Sequence, residues 1–293
     1  MDIGAIEGGF MSITELLYVL FNNKRFILGF GIISFQLMLS FIGPILYPVD
    51  PFNTDNPSWV TPNDIYPLGT DRSGRDVLAM IFHGIRNSLY VGALTGIFTI
   101  LIGLFVGLVS GIKGGILDEV FMALTNIVLL IPSVLLAILI ITYIGYENAR
   151  LELVAFVLSI TAWPGFARAV RSQVLSLRER EFVYLSRIAG YTSLKIAFQD
   201  VLPHLATFTL VSFVNYMNLG INGEVGLSIL GLTPMNIMTL GKILYFAAIT
   251  QAFILGKWWT FIPAGLLQVL LSVSLLLIAT GIDEVFNPRL RGM

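Results

Sequence analysis

The side chains able to do chemistry are few in this chain, and they are unevenly placed. Glu179, Arg180, Glu181, Arg187, Lys195 and Asp200 crowd one segment, EREFVYLSRIAGYTSLKIAFQDVLPHL (Glu179–Leu205), between two long apolar runs. An intramembrane hydrolase needs a paired acid or a nucleophile with its base, and no such set occurs in the chain. Asp118 and Glu119 sit at the entrance of one apolar run and Glu224 at the exit of another. The runs therefore carry essentially no ionisable relay of the kind that gradient-driven transporters use. His83 and His204 are far apart and lack an HExxH context, so they read as interfacial rather than metal-binding. The absence of cysteine excludes disulfides, thiolate metal sites and a cysteine nucleophile. No GxxxxGK[ST] phosphate loop is present, so the chain does not bind ATP in that way. The enzyme reading is weak, and the charged segment is left with a role in recognition or mechanics.

The elements that carry this segment follow from composition. The 293 residues are 56% hydrophobic and 12% charged, with a mean hydropathy of +0.85. Soluble domains are nearer to about a quarter charged. The chain reads as an all-α integral membrane protein, and a net charge of -1 says nothing further because the distribution of Lys and Arg decides topology. A helix needs about 20 apolar residues to cross the hydrocarbon. Phe26–Tyr47, Asn87–Ile112, Val120–Tyr146 and Trp258–Ile282 qualify outright, and Val201–Gly223 has only His204 at its edge. Leu153–Ala167 is short, but Arg168 and Arg171 follow at helical spacing and can snorkel. Six spans result. Val225–Gly256 holds two shorter runs, split by Lys242 and interrupted by Gly231 and Pro234, and is expected to be re-entrant or interfacial.

With six spans, one side holds Lys24, Arg25, Lys113, Arg168, Arg171, Arg178, Arg180, Arg187, Lys195, Arg289 and Arg291. The other holds Arg72, Arg75, Arg86, Arg150, Lys242 and Lys257. Eleven against six is a positive-inside bias that places both termini and Glu179–Leu205 in the cytoplasm. The expected layout is a cytoplasmic segment 1–25, a first span 26–47, an outer loop 48–86, a transmembrane core 87–285 and a cytoplasmic tail 286–293. Thr14–Asn23 reads as a short interfacial helix. The opening MDIGAIEGGFMSITELL lacks a basic region and a small-residue cleavage pattern, so no removable signal peptide is expected. Trp258 and Trp259 read as part of an aromatic belt at the outer face.

Within the charged segment, Phe182, Leu185, Ile188 and Ala189 recur at helical spacing. Gly190 is placed to end that helix as a left-handed cap, Ser193 to cap a second short helix, and Pro203 to enter the next span in its first turn. Two short helices meeting at a glycine can be a connector lying on the bilayer. They can equally be a docking element inserted into a groove on a soluble partner.

The segment resembles the EAA loop of ABC importer permeases, in which a glycine is followed twelve and thirteen positions later by Leu-Pro. Gly190, Leu202 and Pro203 fall on those spacings, while Tyr184, Leu185 and Ser186 stand where Glu-Ala-Ala would be and Asp200 takes the usual isoleucine place. Further stretches are similar to the oligopeptide/dipeptide branch of that family. They are YPLGTDRSGRDVLAMIFHGIRNSLYVG, GIKGGILDEVFMALTNIVLLIPSVLLAI, AWPGFARAVRSQVLSLREREFV, EVGLSILGL and DEVFNPRLRG, in matching order over residues 66–293. The resemblance implies the type I importer permease fold, with cytoplasmic coupling helices, in a prokaryotic inner membrane. It also implies a second homologous permease, two cytoplasmic ABC ATPase subunits that bind ATP and magnesium, and an extracytoplasmic solute-binding protein. No nucleic-acid partner and no cofactor in this chain are expected. Phe182, Tyr184, Leu185, Arg187, Ile188, Gly190, Leu202 and Pro203 are the expected ATPase-docking residues. Peptides or oligosaccharides are the expected solutes, with nickel carried by close relatives. An ATP-independent transporter or channel, or a scaffold that moves no solute, are the competing readings.

Overall fold

The computed structural model describes residues 13–145 and 150–286. Helices account for nearly all of it. They are α1 (Ile13–Leu20), α2 (Lys24–Leu46), α3 (Val77–Lys113), α4 (Gly115–Leu130), α5 (Ser133–Ile144), α6 (Leu151–Arg178), α7 (Glu181–Ile188), α8 (Ser193–Ile196), α9 (Ala206–Ile229), α10 (Leu240–Ile249) and α11 (Ile262–Phe286). Among the described residues five helices are long and apolar enough to cross a membrane, and six spans result if the bent pair α4–α5 is one. The tail residues Arg289 and Arg291, and Tyr146, lie outside the described residues.

Several expected bounds shift for local reasons. Asp76, not the apolar run, starts α3, because its carboxylate accepts the Ala79 amide as an N-cap; the helix therefore begins at Val77 rather than Asn87. The third span is not one rod: α4 and α5 meet at 89°. Pro132 lacks an amide hydrogen and disfavours helical backbone at Ile131, which is extended (φ -85, ψ 123). The fourth span runs past Ala167 to Arg178, beyond the length needed to cross the hydrocarbon. α10, with 10 residues, covers only about 15 Å, so Val225–Gly256 adds no further crossing.

α3 is the central post, 37 residues and therefore about 55 Å long. It packs along α6 and α9, while α11 joins α9 to α2. Water drives little of this packing in a bilayer, so close backbone approach must supply it. Gly103, Gly107 and Gly111, spaced by four, give α6 that access. A Cβ on Gly107 would lie 2.6 Å from Val170 Cβ and 2.7 Å from the Ala167 carbonyl oxygen.

At one end of the bundle residues 48–76 fold into a compact cap. Asp71 accepts the amides of Ser73 and Arg75 at 2.8 and 2.9 Å and the Arg75 Nε at 2.7 Å. The Arg75 guanidinium lies 3.5 Å over the Phe246 ring, fastening the cap to α10. Tyr47 donates to Asp76 at 2.7 Å; burial first, and then the neighbouring carboxylate, hold its phenol well above the usual range. Trp259 is buried and donates its indole N–H to the Thr70 carbonyl at 3.0 Å. It is a clasp between cap and bundle rather than a belt residue, whereas Trp258 stays exposed.

Gly107→Leu is expected to separate α3 from α6 and to destabilise the fold by about 1–3 kcal/mol or more. A lowered unfolding temperature in detergent checks this.

Candidate functional site

The segment Glu179–Leu205 emerges directly from α6, with only Glu179 and Arg180 before α7. α7 ends as the sequence predicts. Gly190 has φ +79, its amide donates to the Arg187 carbonyl at 3.0 Å, and the Tyr191 amide donates to the Ser186 carbonyl at 3.1 Å. Those two bonds form a Schellman cap and satisfy carbonyls that the helix end would otherwise leave unpaired. No atom lies within 4 Å of a Cβ built on Gly190, so backbone conformation alone selects glycine there. Thr192, one residue before the expected Ser193, is the next N-cap; its hydroxyl accepts the Lys195 amide at 3.3 Å.

The second helix does not stop before the span. α8 passes through a π turn, Ala197–Val201, and a 3-10 turn, Leu202–Leu205, into α9. Pro203 explains the irregularity. Its ring would clash with the carbonyl four residues earlier, and it has no amide to offer, so the helix widens ahead of it. Asp200 sits in the wide turn, half-buried, with Oδ2 unpaired among the described residues.

The expected docking residues divide into two sets. Tyr184, Leu185 and Ile188 are 64%, 65% and 69% exposed, and Arg187 and Gly190 are exposed beside them. Phe182, Leu202 and Pro203 are half-buried. Phe182 meets His204 edge-on at 4.7 Å, and Phe182 and Leu202 pack against the buried cluster of Val174, Val183, Ile196 and Val201. They anchor the segment to the bundle, leaving the first set as its free face. A groove of about 780 Å³ lies alongside, lined by Lys113, Arg178, Glu181, Tyr184, Arg187 and Ser193.

Three arginines of α6, just ahead of this segment, tie it into the bundle. Arg178 donates to the Gly111 carbonyl at the foot of α3, at 3.2 Å. Arg171 grips Asp118 of α4 with two bonds of 2.6 Å, and Arg168 bonds Asn126. These arginines are side-chain ties between spans, where the sequence suggested snorkelling. Sequence reasoning missed the pairing, since 53 residues separate the partners and no spacing rule joins them.

A second cluster lies toward the cap end. Glu224 is fully buried and accepts the hydroxyls of Ser228 and Thr239, each at 2.6 Å. Lys242, also fully buried, donates to the Thr233 carbonyl at 3.1 Å. The network holds the α9–α10 hairpin closed. In the sequence Glu224 closes one apolar run and Lys242 divides two others, and no spacing rule joins them. Among the described residues no group of three His, Cys, Asp or Glu could hold a metal ion.

A central post with packed spans and a protruding helix–glycine–helix is the architecture of a polytopic membrane subunit. A solved inward-facing MetNI methionine ABC transporter shares that fold, with TM-score 0.57 and 22% identity, over 71% of this chain and 95% of that one. Residues 77–292 match the binding-protein-dependent transport system inner membrane component family, and the chain belongs to it. The chain is 28% identical over 272 residues to the dipeptide transport system permease protein DppC of Bacillus subtilis, covering 92% of this chain and 83% of the relative. It is 30% identical over 277 residues to DppC of Alkalihalophilus pseudofirmus, covering 92% and 88%. With the oligopeptide transport system permease protein OppC of Lactococcus lactis subsp. cremoris it is 29% identical over 223 residues, covering 76% and 75%.

Asp118→Ala and Arg171→Ala are expected to be non-additive, with a coupling of roughly 0.5–3 kcal/mol. A double-mutant cycle on unfolding in detergent measures it.

Proposed function

We propose that this chain is one of two permease subunits of an ATP-driven importer for di- or oligopeptides. A solute-binding protein delivers the peptide on one side, and two ABC ATPase subunits supply energy on the other. Its relatives are peptide-transport permeases, which favours peptides over oligosaccharides or nickel as the solute. ATP and magnesium belong to the ATPase subunits. The excess of Lys and Arg on the Glu179–Leu205 side supports a cytoplasmic location for that segment and for both termini. Residues 48–86 would then face outward, with a core of 87–285 and a tail of 286–293.

The observation that carries this reading is the free face of α7. Tyr184, Leu185 and Ile188 stand exposed around a cap that fixes the helix direction. An amphipathic helix set rigidly at the end of a span suits insertion into a groove on a soluble partner. ATP-driven closure of the ATPase pair then moves α7, and α6 carries the motion into the spans as a rigid body. The bland alternative, a connector lying on the bilayer, explains the exposed apolar side chains but not the family membership.

In vesicles containing the assembled complex, peptide uptake is expected to require both ATP and the binding protein. Leu185→Asp, which places a charge on the docking face, and Gly190→Pro, which forces φ to about -65°, are each expected to reduce uptake by more than roughly ten-fold. Membrane insertion should be intact, as judged by recovery of the chain in the membrane fraction. Uptake by the purified single chain without ATP would instead indicate a secondary transporter or channel, and ATPase binding without uptake would indicate a scaffold.

A further inference from the structure

α9 carries carboxamides where a membrane helix has least use for them. Asn215, Asn218 and Asn222 all lie within about 7 Å of the midpoint of its 24 residues. Spacings of three and four residues put them along one stripe. Asn215 and Asn222 are exposed and Asn218 is half-buried. Their neighbours on that side are open as well, because a Cβ on Gly226 would meet nothing within 4 Å.

Only part of the hydrogen-bonding capacity of this stripe is used. Asn222 donates to the Asn218 carbonyl and side-chain oxygens at 2.9 and 2.8 Å and to Ser272 of α11 at 3.1 Å. Gln268 reaches Asn222 at 3.4 Å, while its own Oε1 is buried and unpaired among the described residues. Asn215 makes no side-chain hydrogen bond among the described residues, and the Asn218 amide donates none. In hydrocarbon each unmet donor or acceptor costs several kcal/mol, so lipid does not suit this face. On the side toward α6 the Tyr216 hydroxyl lies 3.8 Å from where a Cβ on the exposed Gly165 would stand.

We propose that the Asn215–Asn218–Asn222 stripe lines the solute path. It would offer neutral donors and acceptors to the backbone amides of a passing peptide. This rests on the peptide-importer reading above and names the residues it lacked. Carboxamides suit a carrier for peptides of varied sequence. They pair with the peptide group, which every substrate shares, and they carry no charge that would hold one side chain over another. A path that binds weakly at several such groups lets the solute leave as well as enter.

The chain contains no cysteine, so single replacements can be read directly. In the assembled complex with its binding protein and ATPases, Asn215→Cys and Asn222→Cys should react with a charged, membrane-impermeant methanethiosulfonate reagent. Trialanine delivered by the binding protein under ATP turnover should slow that reaction, and completed labelling should cut trialanine uptake roughly ten-fold. Ser272→Ala, which removes one of the hydrogen-bonding partners of Asn222 on α11, should leave uptake near normal. No labelling at either cysteine would place the stripe against lipid or the second permease and overturn the proposal. So would labelling that leaves uptake unchanged. If the cysteine variants label but the complex without these replacements never takes up trialanine, the peptide reading fails while the aqueous path stands.

Discussion

The hydrocarbon interior accepts backbone only where every N–H and C=O is paired within the chain, and it accepts charge only where a partner is built in. That constraint explains why this protein is mostly straight helix and why each departure from a helix has a local cause. Pro132 breaks one span, Pro203 widens another, and Gly190 stops a helix at the polar end. Charges obey the same rule: Glu224 and Lys242 share a buried network, and Arg171 holds Asp118. With charge so restricted, little remains in the chain for chemistry, and what the fold can supply is movement.

The route for movement is short. α6 is continuous from the cap end to Arg178, and α7 follows after two residues. Phe182, Leu202 and their buried neighbours tie α7 back to the bundle. The Arg171–Asp118 pair ties α6 to α4, and glycines let α3 lie close along α6. The exposed face of α7 is therefore joined to three helices through packed side chains and only two connecting residues.

Much of this was legible in the sequence, because helix length and the glycine cap are local properties. The spans, the helix–glycine–helix and the shortness of the Val225–Gly256 helix all follow from run length and turn chemistry. What escaped depends on distant partners. Trp259 looked like an interfacial residue until Thr70 was found 3.0 Å away. Periodicity groups Phe182 with Leu185, yet its ring meets His204 edge-on and packs against the bundle. The cap at Thr192 rather than Ser193 shows how a choice between adjacent hydroxyls is left to backbone geometry. The asparagine stripe on α9 was readable as spacing, but its exposure was not.

In the proposed import cycle, α7 and the adjoining end of α6 move as one body when ATP closes the ATPase pair. Spin labels at Ser172 and Ala189, both exposed, report it directly through their mutual distance in the assembled complex. The distance within the chain is expected to stay unchanged between nucleotide-free and ATP-bound states, while the distance from Ala189 to the equivalent position in the second permease changes. A shift within the chain as large as the shift between chains would mean that the Glu179–Arg180 junction absorbs the motion, and would contradict transmission through α6.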